Sequence, residues 1–136
     1  VIEIKDFKGE GYQALISYGS WRVAVLRALD ELRPERIHSM ERHMATDEVF
    51  ILVSGRVMII LGGNDAEIHE LQPVIMNIGE LYNIKKGAWH TVVPSNDAHI
   101  VIVENDDTCP ENSQKFTLSR ELAEFIQREG TAFLAG

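Results

Sequence analysis

The stretch ERHMATDEVFILVSG, residues 41–55, decides how this chain is read. Glu48, Phe50 and Leu52 alternate with Val49, Ile51 and Val53, the period-2 pattern of a β-strand with one buried face. If Phe50 and Leu52 point inward, Glu48 does too. Just upstream, Glu41 and His43 are two residues apart and share one face of the preceding strand. Three polar groups then converge on one interior patch, where an unpaired carboxylate is costly and a divalent cation is one common way to offset that cost. Ser54 and Gly55 read as a tight reversal.

Working outward, the same spacing predicts strands at 21–29, 37–44, 48–53, 56–61, 67–71, 74–78, 90–93 and 98–104. Gly62-Gly63-Asn64-Asp65 is a second turn sequence, so several strands are expected to pair antiparallel with their chain neighbours. Residues 104–115, rich in Asp, Asn, Glu, Ser and Pro, read as a surface loop. A single helix is predicted over 119–129. Ser119 caps it, Glu121 lies in its first turn, Gly130 suits its exit, and Leu122, Phe125 and Ile126 form its apolar face. Many short strands, one late helix and no βαβ alternation predict an all-β, antiparallel sandwich or barrel. No Gly-rich nucleotide loop, P-loop or nucleophile elbow occurs, and no Ser, His and Asp arrangement stands out.

With 136 residues the chain is expected to be one domain with a core of its own. Thirteen Lys and Arg against 21 Asp and Glu give a net charge of −8, which disfavours nucleic acid and anionic membranes as partners. The longest apolar runs, 49–53 and 57–61, fall far short of a bilayer span, and no charged-then-apolar leader precedes Val1, so a soluble, cytoplasmic protein is expected. Cys109 is the only cysteine, which rules out an intramolecular disulfide and makes it a weak metal ligand.

At this point the sequence resembles the cupin superfamily. Its first motif, G-x5-H-x-H-x3-4-E-x6-G, is matched by Glu41-x-His43-x4-Glu48-x6-Gly55, and its second, G-x5-P-x-G-x2-H-x3-N, by Gly79-x5-Lys85-x-Gly87-x2-His90. Glu41 replaces the leading histidine, Lys85 the proline, and Pro94 stands where Asn is usual. The resemblance implies a double-stranded β-helix, or jelly-roll barrel, with motifs at 41–55 and 79–94. It also implies a metal set of His43, Glu48 and His90, with Glu41 as the fourth ligand. Two carboxylates and two imidazoles suit a divalent first-row metal, namely Fe, Mn, Ni or Zn. The alternative is a barrel that has lost its metal and keeps these residues as a hydrogen-bond cluster.

Among the remaining candidates, Trp89 should face away from the site because it alternates with His90, and Tyr82 is a candidate ligand contact at the barrel mouth. His38, five positions before His43, faces the opposite way on an unbulged strand, which a bulge between them would reverse, and His69 and His99 read as surface or packing residues. The expected activity is that of a metal-dependent cupin acting on a small polar metabolite, of the dioxygenase, isomerase, epimerase or decarboxylase type. The alternative is a non-catalytic small-molecule or carbohydrate-binding sensor. A homodimer is expected, with residues 1–4 as an apolar edge strand available for pairing.

Overall fold

The computed structural model describes residues 1–136. Its strands are β1 (Gly11–Tyr18), β2 (Trp21–Arg27), β3 (Ser39–His43), β4 (Glu48–Ser54), β5 (Val57–Leu61), β6 (Gln72–Ile75), β7 (Leu81–Ile84), β8 (His90–Pro94), β9 (His99–Asn105) and β10 (Ser113–Thr117), followed by helix α1 (Arg120–Ala135). They form two five-stranded sheets, ordered β1-β2-β9-β4-β7 and β10-β3-β8-β5-β6, with every pair antiparallel. The all-β barrel with a C-terminal helix is the expected architecture.

Side-chain alternation fills the space between the sheets. Phe50 and Leu52 of β4, Ile100 and Ile102 of β9, Ile59 of β5 and Val92 of β8 form the inner core. The opposite face of the second sheet makes another core with the helix, built on Met40, Met58, Ile60, Trp89, Val93, Ile126 and Phe133. Burying side chains of this size contributes roughly 1.5–3 kcal/mol each, more than the propensity of a short helix could supply.

Three strands went unseen in the sequence. β1 and β7 lie on sheet edges, where polar and exposed residues blur the alternation, and β10 begins within the stretch read as a loop and runs two residues past it. Residues 67–71 do not form a strand; Ile68 is a buried plug in a loop, packed under Gly62 and Trp89. Residues 1–4 are exposed and form no strand. Ser54 and Gly55 do not close a hairpin either, because β4 and β5 belong to different sheets. Gly55 instead carries the chain across at φ +78°, with Ala98 so close that a Cβ would lie 2.6 Å from its Cα.

The helix is capped as expected, with Ser119 Oγ accepting from the Leu122 amide. It does not stop at Gly130. That residue is interior, and a Cβ there would lie 2.8 Å from Cγ of Pro34. The missing side chain serves close packing rather than an exit turn. Gly130→Val should therefore lower stability by about 1–3 kcal/mol through overpacking, read as a shifted denaturant midpoint. An unchanged midpoint would show that the helix and Pro34 separate freely.

Candidate metal centre

β3 turns Met40 and Arg42 outward and Glu41 and His43 inward; β8 turns Trp89 outward and His90 inward. The two strands meet at one residue pair, Glu41 with His90. Trp89 is buried on the outer face of the second sheet against Phe116, its Nε1–H donating to the Asp65 carbonyl while the Arg42 guanidinium lies over its ring, so it faces away from the cluster as the alternation predicted.

Both imidazoles are oriented from behind. His90 Nδ1 lies 2.9 Å from the Ala88 carbonyl oxygen, which can only accept. His43 Nδ1 lies 2.8 Å from Ser113 Oγ, whose own hydroxyl donates to the Cys109 carbonyl. Each Nδ1 therefore carries its hydrogen, and each Nε2 is turned into the barrel, as in metal-binding histidines whose other ring nitrogen is held by a hydrogen-bond acceptor.

Glu48 completes the convergence. Its Oε1 stands 3.0 Å from His90 Nε2 and its Oε2 3.6 Å from His43 Nε2. Oε1 is nonetheless a buried oxygen with no hydrogen-bond partner. The oxygen and the His90 nitrogen are close without being aligned as a hydrogen bond. The cluster thus suits a cation held by imidazole nitrogen and carboxylate oxygen. Glu41 lies at the rim, its side chain 55% exposed and its Oε1 3.8 Å from His43 Nε2. Ligand atoms of Glu41, His43 and His90 fall within 4.8 Å of one another, as do those of His43, Glu48 and Glu104.

Glu104 was not singled out in the sequence. It follows Ile100 and Ile102 on the inner face of β9 and is as buried as they are. The alternation that placed Glu48 inside would have placed it too, but Glu104 borders the acidic stretch and belongs to neither motif. Burial, opposed in part by His90 and reinforced by Glu104, pushes the Glu48 carboxyl above its usual range. Burial also acts to raise Glu104, yet its proximity to Glu48 and the hydrogen bonds from Tyr12 and Arg22 hold it below. His90 is raised: burial disfavours its charged form, but Glu48 outweighs that.

These shifts set a pH dependence. A raised Glu48 penalises the metal-free fold increasingly as pH climbs past the ordinary glutamate value, and the stability that His90 draws from Glu48 is lost as pH rises through its own raised value. Added metal competes with those same protons. The gap in melting temperature between metal-loaded and metal-free protein should widen from about pH 5 to about pH 8. A gap that narrows would place the metal elsewhere.

These groups line a cavity of about 820 Å³ that also takes in Arg36, His38, Thr91, Cys109 and Lys115. Tyr82 is not part of it. Its hydroxyl accepts from the Asn77 amide and donates to Glu80, and its ring lines a separate pocket of about 230 Å³ with Leu61, Val74 and Ala88. His69 is exposed and His99 half-buried on β9, both away from the cluster.

No protein-family model and no curated protein matches the chain. Solved structures do. Pac13 from Streptomyces, described as a nucleoside dehydratase and solved with uridine, aligns at TM-score 0.58 and 12% identity over 85% of both chains. A cupin-2 domain protein from Shewanella frigidimarina aligns at TM-score 0.54 and 22% identity, covering 73% of this chain and 84% of that one. Fe(II) HppE aligns at 0.51 and 15% identity, covering 69% of this chain and 48% of that one. Two antiparallel sheets closed around an inward-facing His and Glu cluster define a β-barrel with a possible metal site. The barrel has a cupin fold, like that of the cupin-2 domain protein.

Proposed function

We propose that this protein is a metal-binding cupin that takes a small polar metabolite into its barrel. His43, Glu48 and His90 hold one divalent first-row metal, Fe, Mn, Ni or Zn, and Glu41 is the fourth ligand at the rim. The observation that carries this reading is the buried, unpartnered Oε1 of Glu48 facing two imidazole nitrogens whose tautomers are fixed from behind. The metal supplies Lewis acidity or a site where substrate and oxygen meet. The protein supplies a cavity large enough for a metabolite, with Lys115 and Arg36 among its polar walls. Tyr82 contributes to ligand recognition through the smaller pocket.

The test is metal content. Full-length protein purified without chelator and offered Mn, Fe, Ni and Zn in turn should hold one of them at close to one per chain, and His90→Ala should hold none. Uptake of none by the wild type would leave the non-catalytic binding protein as the better reading. Ligand screening then runs over diketones, thiols and sugar acids, joined by nucleosides because a protein of the same fold holds uridine.

A homodimer in the cytoplasm completes the proposal. Supporting it, Val23, Val49, Ile51, Val53, Val101 and Val103 leave the outer face of the first sheet aliphatic and partly exposed, whereas the helix covers the second. A concentration-independent monomer mass in sedimentation would remove that part. No helix is long and apolar enough to cross a membrane.

A further inference from the structure

We infer that Glu104 is a further protein ligand of the proposed metal, held in position by Tyr12 and Arg22. The inference rests on the metal reading above and adds a residue that neither motif contains.

Position comes first. β4 and β9 pair Val49 with Val103 and Phe50 with Ile102, so continuing the register by one residue sets Glu48 opposite Glu104. Both side chains are buried, 6% and 5% exposed, and both point into the barrel beside His43. Two carboxylates at one dry spot repel unless cations separate them.

One of those cations is visible. Arg22 donates to Glu104 Oε2 through Nε at 2.9 Å and Nη2 at 2.7 Å, and Tyr12 donates its hydroxyl to the same oxygen. The guanidinium is spent on structure, since Nη1 also donates to the Asp106 carbonyl and Nη2 to that of Thr108. The bonds from Tyr12 and Arg22 all fall on Oε2, and a carboxylate oxygen of Glu104 lies within 4.8 Å of the ligand atoms of His43 and Glu48. A carboxylate clamped by one oxygen and presenting the other is how an outer shell fixes a monodentate ligand.

Charge balance agrees. Glu41, Glu48 and Glu104 bring three negative charges and Arg22 one positive, leaving the two that a divalent cation neutralises. The unpartnered Glu48 Oε1 that carries the metal reading lies in this same cluster. An N2O3 donor set is also harder than the motif residues alone, moving preference towards Mn and Fe.

The experiment titrates full-length wild type, Glu104→Gln, Glu104→Asp and Tyr12→Phe with Mn(II), reading free and bound ion by electron paramagnetic resonance and folding by circular dichroism. Glu104→Gln should weaken Mn(II) at least about tenfold and change the bound lineshape. Tyr12→Phe should weaken it less and keep the lineshape, because the ligand oxygen remains. Wild-type affinity and lineshape in Glu104→Gln would overturn the inference and leave the metal reading standing. Absence of Mn(II), Fe(II), Ni(II) and Zn(II) binding in the wild type would overturn both. Should Glu104→Gln fail to fold, Glu104→Asp decides. It keeps the charge on Arg22 but withdraws the oxygen by one methylene, so unchanged binding in it also overturns the inference.

Discussion

Glu48→Gln should abolish stoichiometric metal while making the metal-free protein more stable than the wild type. Glutamine keeps the shape of the side chain but removes the charge that burial and Glu104 both oppose. Its amide can donate to the Glu104 carboxylate, turning a repulsive pair into a hydrogen bond. A gain on the order of 1–3 kcal/mol follows for relieving an uncompensated buried charge, or a rise in melting temperature of roughly 3–10 °C. The order should invert once metal is added, because only the wild type gains the roughly 3 kcal/mol that a ligand at about a hundred times its dissociation constant supplies. Melts with chelator and with excess Mn(II) read both halves. A Glu48→Gln protein less stable than wild type in chelator would mean that the carboxylate is satisfied without a cation.

The second large effect lies one residue from the site. Trp89→Ala should cost about 3–5 kcal/mol, a melting-temperature drop of roughly 10–20 °C. Trp89 is 2% exposed, packs against Phe116, carries the Arg42 guanidinium 4.4 Å from its ring centroid and satisfies the Asp65 carbonyl. Its loss opens a cavity on the outer face of the second sheet beside Phe116 and Arg42 and leaves that carbonyl without its indole donor. Because the side chain faces away from the barrel, metal stoichiometry in the folded fraction should persist. Loss of metal with no loss of stability would contradict the division of labour between Trp89 and His90.

Much of the architecture was legible because buried faces enforce period 2. Phe50 with Leu52 and Ile100 with Ile102 could only be strands with a common interior, and the motif spacing then placed His43, Glu48 and His90 in it. Edge strands were harder. β7 has Leu81 and Asn83 exposed around Tyr82, and β10 is mostly polar, so neither shows the contrast on which periodicity depends. Turn residues misled where they mark a change of sheet, as at Gly55, since a positive φ serves a sheet-to-sheet crossing as well as a hairpin. Gly130 misled because glycine favours both helix exits and close helix packing. Within the site, Glu104 followed the same alternation as Glu48 yet sat beside a run of acidic loop residues, and local composition concealed a buried position.

The lone residue pair joining β3 to β8 has a consequence for how the barrel moves. β3 is zipped to β10 along five residues, whereas Glu41 with His90 is its one paired position on β8. The β3–β10 ribbon is therefore a separate unit of local opening, with its amides expected to exchange with solvent sooner than those of the β4–β9 ladder. His43 sits on that ribbon and Glu48 and His90 on the body of the barrel, so an ion shared among them acts as a cross-link. It closes a chain loop that the hydrogen-bond ladder leaves almost unbridged, at an entropic cost that grows only slowly with loop length. Slowed exchange on metal addition should concentrate in β3 and β10, making the wall of the cavity the element whose mobility reports its occupancy.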